Sequence, residues 1–178
     1  VLFIPFKEEL VKENHPGKYP CPNWGIAYEV TNDLIEKTLA HIQELLKKRG
    51  YASALTAATE NQDADDADDT MPARWSHKHL GHLIGLGRYG TNCQFITPTG
   101  CSGRMGSLVT DLDLGDHPLV TADELCLLKA GKKCGKCIEV CPVDALSENG
   151  MDRAVCNARL QENYHLLMEP DGLPETTE

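Results

Sequence analysis

The chain has 178 residues with a formal net charge of −10, and 41% of its residues are hydrophobic, including two Trp, five Tyr and three Phe. This length and composition fit one domain of ordinary size, or one domain with a small appended module, with enough apolar side chains for a core. The acidic balance disfavours general binding to nucleic acid or anionic membranes, because such binding depends on neutralising phosphates with Lys and Arg. No run of about 18 apolar residues occurs, so we expect no membrane-spanning helix.

The N-terminal third predicts one strand, one helix and a second strand. Residues 1–6 form a short apolar run that ends near a proline, which favours a buried strand. A proline-rich loop with Cys21 follows. Between residues 32 and 49, apolar residues recur at spacings of three and four, which predicts a scaffold helix capped by one of residues 31–33 and followed by Gly50 at the C′ position. Residues 51–59 are rich in Ala and Thr and predict a strand with small side chains.

The next segment is acidic and then helical. The five Asp between residues 61 and 69 predict a solvated loop, because the Gly and Glu of an EF-hand loop are missing. A helix is predicted to begin near Trp75, with Ser76 as its N-cap. His79 and His82 share a face of this helix, and surface or capping roles explain them better than a metal site does.

Two glycine-rich stretches follow this helix. Residues 85–90 match G-x-G-x-x-G by letter, but the dinucleotide fingerprint needs a preceding strand and a following helix, and here the order is reversed. We therefore reject a dinucleotide site. Residues 98–106 form a glycine-rich turn between strand-like residues 94–97 and 107–112, for which a hairpin is the simplest structure. Thr97, Arg104 and Ser107 are candidates to line a cofactor site, although a structural turn explains the glycines equally well.

The strongest signal is a cysteine run near the C-terminus. Cys134, Cys137 and Cys141 stand in the spacing C-x2-C-x3-C-P, the second half of the bacterial ferredoxin run that holds a [4Fe–4S] cluster. Gly135 suits the tight turn around a cluster because glycine adopts positive φ angles, and Pro142 restricts the chain after the last thiolate. Zinc is the alternative, since C-x2-C is also a zinc half-site, and disulfides are a weaker one because no secretory segment is evident.

The ferredoxin run lacks its first cysteine, because Gly131 stands three residues before Cys134. Cys126 is the nearest candidate for a replacement ligand. The cysteine before proline usually binds the other cluster of a two-cluster pair, so Cys141 has an alternative grouping with Cys156. Residues 157–168 predict a last helix. The candidate metal ligands are therefore Cys126, Cys134, Cys137, Cys141 and Cys156, in one cluster or two.

Residues 85–92, 96–98 and 103–111 and the cysteine run together resemble the epoxyqueuosine reductase and reductive dehalogenase superfamily, in particular its short, poorly characterised relatives. The resemblance runs from about Val1 to Cys156. It implies an α+β fold, with a nitroreductase-like corrinoid domain at residues 1–120, open to truncation at its N-terminus, and a small ferredoxin-like [4Fe–4S] module at residues 121–178, open to truncation at its C-terminus. It also implies a cytoplasmic protein in which electrons pass through the clusters to the cobalt of a cobalamin.

The resemblance further implies that the glycine-rich segment approaches the cofactor. Tyr89 and Arg104 are then candidate proton donors or anion contacts, and a ferredoxin or flavodoxin is the expected redox partner. Two departures are visible: residues 51–59 offer no carboxylate where these reductases place a catalytic Asp, and no further C-x2-C follows Cys156. A corrinoid-dependent reductase of unknown substrate and an electron-transfer or redox-accessory protein both remain open. The implied cofactor contacts are Gly87, Gly90, Asn92, Thr97, Arg104 and Ser107.

Overall fold

The computed structural model describes residues 1–14, 17, 19–56, 75–115 and 123–168, and only the backbone of residues 164–168. Within these residues the fold mixes helices with small sheets. The helices are α1 Glu8–Glu13, α2 Pro22–Lys48, α3 His77–Leu83, α4 Lys136–Glu139 and α5 Arg153–Met168. The strands are β1 Leu2–Pro5, β2 Ser53–Leu55, β3 Arg88–Tyr89, β4 Phe95–Ile96, β5 Gly103–Gly106, β6 Leu108–Thr110, β7 Leu146–Ser147 and β8 Gly150–Met151.

Helix α2 is the scaffold of the N-terminal part, as its apolar spacing predicts. It has 27 residues and begins at Pro22, with Cys21 as N-cap, so the predicted start at residues 31–33 is wrong. Pro22 is compatible with the first helical turn, where a backbone N–H has no partner within the helix. The predicted end is confirmed, since Gly50 follows the C-cap with a φ of 87°.

Among the described residues, the strands form four antiparallel pairs: β1 with β5, β2 with β6, β3 with β4, and β7 with β8. The predicted hairpin between residues 94–97 and 107–112 is therefore wrong, because β4 pairs back to β3 and β6 pairs with β2. The non-local pairs are favoured because they cover the apolar face of α2. Ile35 and Leu39 are buried there, against a set of partly buried residues: Leu2, Ile4, Leu55 and Leu108.

Glycine allows β5 to lie close to its neighbours. A Cβ on Gly106 would meet the side chain of Ile35, and one on Gly103 would meet the carbonyl oxygen of Ile4. Residues 103–106 are thus a strand, not part of a turn as the sequence predicts. Close packing of this strand against α2 and β1 accounts for its two glycines.

Of the remaining predictions, some are confirmed and others differ from the structure. Strand β1 is confirmed, but it is half-buried and not buried as predicted. Ser76 caps α3 as predicted, because its Oγ accepts the N–H of His79 at 3.3 Å. The last helix is confirmed as α5, which begins earlier, at Arg153. The predicted acidic loop at residues 61–69 and the end of the chain at residues 169–178 lie outside the described residues. Among the described residues, no helix is long and apolar enough to span a membrane.

Candidate iron–sulfur site

The loop of the ferredoxin-like run turns sharply after its first cysteine. Cys134 is exposed, Cys137 lies on the single-turn helix α4, and Cys141 follows that helix. Gly135 is the N-cap of α4 with a φ of 143°, which confirms the predicted need for positive φ. The backbone N–H groups of Ile138 and Glu139 both donate to the carbonyl of Gly135, at 2.9 and 3.0 Å. The turn is therefore defined by its own backbone.

A chain of backbone hydrogen bonds connects Cys141 to Cys156. The N–H of Ala145, which is 4% exposed, donates to Sγ of Cys141 at 3.3 Å. The carbonyl of Ala145 accepts the N–H of Asp152 at 2.8 Å, and the carbonyl of Asp152 accepts the N–H of Cys156 at 3.1 Å. The side chain of Asp152 also caps α5 by accepting the N–H of Val155 at 3.1 Å. The first turn of α5 is thus fixed relative to Cys141.

The charge of Cys141 influences the thiol of Cys156. Burial raises the pKa of the Cys156 thiol, the charges of Cys141 and Cys93 raise it further, and the Lys78 ammonium works in the opposite direction. This interaction is consistent with the alternative grouping of Cys141 with Cys156, which stays a prediction.

Cys126 lies in a turn that stabilises a thiolate. Burial works to raise the pKa of its thiol, but hydrogen bonds from Thr91 and from the backbone N–H groups of Leu128 and Lys129 outweigh burial and lower the pKa below its ordinary value. The Oγ1 of Thr91 lies 3.5 Å from Sγ of Cys126. Because the thiolate is the form that binds iron, Cys126 is well prepared to act as a ligand.

The cysteines do not converge on a site for a single metal ion in this structure. Within the described ranges, no three His, Cys, Asp or Glu side chains converge closely enough to bind one metal ion. A cubane cluster is bulkier than an ion and holds its thiolates further apart than the four ligands of zinc. Hydrogen bonds to sulfur, as at Cys126 and Cys141, stabilise thiolate charge and tune the potential of a cluster.

The β3–β4 hairpin touches the cysteine-rich part of the chain. Besides the Thr91–Cys126 contact, the ammonium of Lys129 donates to the carbonyl oxygen of Tyr89 at 2.8 Å. Helix α3 precedes Gly85, and the strand β3 lies between Gly87 and Gly90, so these glycines do not lead from a strand into a helix, in agreement with the rejection of a dinucleotide site. The segment predicted to approach a cofactor therefore lies against Cys126.

Several of the predicted cofactor contacts hold the hairpin together. A Cβ on Gly87 would meet the carbonyl oxygen of Ile96 and the ring of Phe95. A Cβ on Gly90 would meet Asn92, whose Oδ1 accepts the N–H of Gln94 at 3.1 Å. Close packing therefore explains why both positions are glycine. A role of these glycines at a cofactor stays a prediction.

Two further predicted contacts are buried and have protein partners. Thr97 is 5% exposed and donates its hydroxyl to the carbonyl of Gly100 at 2.9 Å. Ser107 is 1% exposed, and its Oγ accepts from Trp75 Nε1 at 2.9 Å and lies 2.7 Å from His77 Nδ1. Their polar atoms therefore serve the fold in this structure.

Arg104 is directed at α2. Its Nε donates to Oδ1 of Asn32 at 2.7 Å, and its guanidinium lies 3.8 Å from the centre of the Tyr28 ring. Burial lowers the pKa of Arg104, while the charges of Tyr28 and Glu29 and a hydrogen bond with Tyr28 raise it. Helix α2 was predicted to have no chemical role, yet its N-terminal part positions this candidate residue.

Tyr89 lies in an aromatic cluster with two histidines. Its ring centre is 5.3 Å from that of His79, 5.6 Å from that of His82 and 6.3 Å from that of Phe95. Burial raises the pKa of Tyr89, an effect that the nearby Ser76 partly offsets, although no group among the described residues has hydrogen-bonding geometry to the Tyr89 hydroxyl. The phenol is therefore held protonated, as a proton donor needs.

One cavity lies away from these residues, between α2 and β2. Its volume is about 340 Å³, near the lower end for small-molecule sites, and a corrin ring is too large for it. It contains none of the predicted cofactor contacts. The lining residues are Glu36, Leu39, Ala40, Leu55 and Thr56.

Comparison with known proteins connects this site to iron–sulfur chemistry. Residues 132–147 match the 4Fe-4S binding domain family. An epoxyqueuosine reductase from Bacillus anthracis is 27% identical over 157 residues, which are 86% of this chain and 35% of that protein. The chain thus spans about a third of the length of this curated relative. No solved structure matches the present chain. These similarities support an iron–sulfur protein, related to epoxyqueuosine reductases, with a ferredoxin-like 4Fe-4S module.

Proposed function

We propose that the chain is an iron–sulfur redox protein that accepts and passes on electrons through a [4Fe–4S] cluster held by Cys134 and Cys137. The match of residues 132–147 to the 4Fe-4S binding domain carries this proposal. The positive φ of Gly135 supports it, because that turn brings the backbone between the two cysteines around a compact group. The cluster would supply reversible one-electron chemistry.

Cys126 and Cys141 are the next ligands in this proposal. Each sulfur receives hydrogen bonds in the structure, Cys126 from Thr91 and Cys141 from the N–H of Ala145. Such bonds favour the charged thiolate that iron requires. Cys141 serves either this cluster or a second one with Cys156, which lies close to it.

The proposed division places a nitroreductase-like domain at residues 1–120 and a ferredoxin-like module at residues 121–178. The contacts of Lys129 with Tyr89 and of Cys126 with Thr91 then cross between the two parts. The hairpin would therefore lie next to Cys126, one of the further proposed ligands.

The proposed redox partner is an acidic electron carrier, such as a ferredoxin or flavodoxin. Lys132 and Lys133 are exposed and lie directly before the exposed Cys134. In a chain of net charge −10, this is a local basic patch next to the proposed cluster. Opposite charges at such a patch speed diffusional encounter.

A corrinoid-dependent reductase is the second candidate, and the extent of the similarity favours it. The likeness to the epoxyqueuosine reductase covers 86% of this chain, well beyond the iron–sulfur module. Cobalamin would supply the reductive chemistry when bound, and the protonated Tyr89 next to His79 would be the proton donor from this chain. The polar atoms of Thr97 and Ser107 already have protein partners, so these two predicted contacts do not support corrinoid binding.

Anaerobic reconstitution tests the first proposal. The purified chain is incubated with ferrous iron and sulfide, and iron, sulfide and zinc are measured together with the visible spectrum and the paramagnetic resonance of the dithionite-reduced protein. We expect a brown protein with a reduced [4Fe–4S] signal. A colourless protein with stoichiometric zinc would overturn the proposal.

Cobalamin titration tests the second candidate separately. Cob(II)alamin is added to the cluster-loaded chain, and its absorption and resonance spectra are followed. A shift in these spectra on binding supports the reductase. If clusters are present and the cob(II)alamin spectra remain those of the free cofactor, electron transfer alone is the function.

A further inference from the structure

Helix α2 has a second apolar row besides the face that packs on the strands. Ile35 and Leu39 are buried in the core, whereas four apolar side chains elsewhere on the helix are 39–61% exposed. With one threonine they follow each other at a spacing of four residues. This row, the α2 ridge, consists of Ile26, Val30, Leu34, Thr38 and Ile42. Single exposed apolar residues are common on protein surfaces, but a continuous row of them marks an interaction surface.

The polar groups of the ridge and beside it already have partners. The hydroxyl of Thr38 donates to the carbonyl oxygen of Leu34 at 2.7 Å. The ammonium of Lys37 and the carboxylate of Asp33, on either side of Leu34 in the sequence, lie 2.6 Å apart. Covering the ridge therefore buries no unpaired hydrogen-bonding group there, so the main cost of burying polar groups is avoided.

The spacing of the ridge suits a second copy of itself. Rows of residues four apart on two helices interdigitate at a crossing angle of about −50°, the commonest packing class in globular proteins. The ridge is symmetric about Leu34, with Val30 and Thr38 four residues away and Ile26 and Ile42 eight residues away. A twofold axis at Leu34 would place Val30 opposite Thr38 of the second copy. The surface is therefore complementary to itself, as a twofold interface requires.

The charges along α2 favour the same arrangement. Residues 22–35 include two acidic residues and no Lys or Arg, whereas residues 36–49 include four basic residues and two acidic ones. Two antiparallel copies would bring the acidic half of each helix to the basic half of the other. Chains with a net charge of −10 repel each other in general, so a surface with opposite charges at its two ends is where two copies can approach.

We propose that the α2 ridge binds a second copy of this chain, with the two α2 helices antiparallel and crossing at Leu34. The ridge is about 24 Å long. A contact built on one helix from each copy is small compared with the roughly 800 Å² per partner of a standard interface. We therefore expect a reversible dimer with a micromolar dissociation constant. This inference is independent of the proposed iron–sulfur function.

Sedimentation velocity tests for the dimer. The apoprotein is measured from about 1 µM to about 500 µM, the range in which a micromolar equilibrium is visible. A thiol reductant is present, so that the eight cysteines do not link two copies covalently. We expect a shift from monomer to dimer as the concentration rises. A chain that stays monomeric over the whole range overturns the inference, and another partner or segment would then cover the ridge.

Matched leucine variants test which surface is used. Leu34→Glu puts a charge at the centre of the ridge and should raise the dissociation constant at least about thirtyfold, as for a central interface residue. Leu83→Glu is the control, since Leu83 is 70% exposed at the end of α3 and outside the ridge. It should form the dimer as the parent does. Both side chains are at least half exposed, so we expect both variants to fold, which urea denaturation checks. If Leu34→Glu and the parent form equal amounts of dimer, the ridge is not the interface.

A charge pair across the interface tests its direction. Val30→Glu alone should weaken the dimer, because a carboxylate would be buried opposite Thr38 of the second copy. Adding Thr38→Lys should restore dimerisation, because the new ammonium would face that carboxylate. Within one helix the two positions are about 12 Å apart and do not pair. If the double variant remains as monomeric as Val30→Glu, the antiparallel crossing at Leu34 is wrong.

Discussion

The hydroxyl of Thr91 lies 3.5 Å from Sγ of Cys126 and joins the β3–β4 hairpin to the cysteine-rich segment. Thr91 is 6% exposed, so this contact is shielded from water. Its first effect is electrostatic, because the hydrogen bond favours the thiolate of Cys126 over the thiol. The position of the hairpin and the reactivity of Cys126 are therefore coupled.

Replacing Thr91 with Val should raise the pKa of the Cys126 thiol in the apoprotein. In the parent, the pKa is lowered by Thr91 and backbone donors despite the opposing effect of burial, so thiolate persists to lower pH. The variant keeps the shape of the side chain and loses the donor. The pH profile for alkylation of Cys126 should move to higher pH. Thr38→Val, whose parent hydroxyl bonds to the carbonyl of Leu34 within α2, is the control, and an unmoved profile in the Thr91 variant would contradict the contact.

Cys137→Ser should remove most of the cluster iron. Cys137 lies on α4 within the matched 4Fe-4S segment, and a serine oxygen is a much poorer ligand for iron than a thiolate. Iron, sulfide and visible absorption after anaerobic reconstitution measure the loss. Cys21→Ser changes a half-buried cysteine at the start of α2 and should retain the iron of the parent. Equal iron in the two variants would exclude Cys137 as a ligand.

Gly87→Ala should destabilise the protein even without any cofactor. The added Cβ would meet the carbonyl oxygen of Ile96, a backbone atom that cannot rotate away. We expect the free energy of unfolding to fall by about 3 kcal/mol, measured by urea denaturation of the apoprotein. Gly100→Ala is the comparison, since its Cβ would meet nothing within 4 Å and only its φ of 108° opposes it, at roughly 1–2 kcal/mol. If the Gly87 variant were as stable as the parent, packing would not explain this glycine, and a role at the cofactor would be the better explanation.

Reversing two charges before Cys134 should slow electron uptake from an acidic donor. The double variant Lys132→Glu, Lys133→Glu turns an exposed basic patch acidic. At low ionic strength we expect the second-order reduction rate by a reduced flavodoxin to fall about tenfold, with the difference shrinking as salt is added. Lys47→Glu, Lys48→Glu makes the same charge change at the end of α2. Similar rates for the two double variants would place the partner elsewhere.

Sequence reasoning was most successful where the signal is local. The end of α2 at Gly50, the cap at Ser76 and the positive φ at Gly135 each depend on a few neighbouring residues, and all three are confirmed. The cysteine spacing of residues 134–141 also follows from one short loop, and the 4Fe-4S binding domain family matches it. Such features need no knowledge of the rest of the fold.

Features that depend on distant contacts were missed. Turn signals at residues 98–106 favoured a hairpin, but burial on α2 pairs β5 with β1 and β6 with β2. The same applies to the contact of Thr91 with Cys126, which arises because the β3–β4 hairpin is placed against the cysteine-rich segment. A threonine in a turn carries no sequence signal of that placement.

The β3–β4 hairpin has strands of only two residues each, Arg88–Tyr89 and Phe95–Ile96. A ribbon this short does not hold its shape in water by itself, so its order depends on what it is attached to. The contacts of Lys129 and Cys126 with the hairpin supply part of that attachment. Assembly of the cluster should therefore stabilise the hairpin. Insertion of iron and sulfide would slow amide hydrogen exchange at the tip of the hairpin. In protein deprived of iron, proteases would cut this hairpin early.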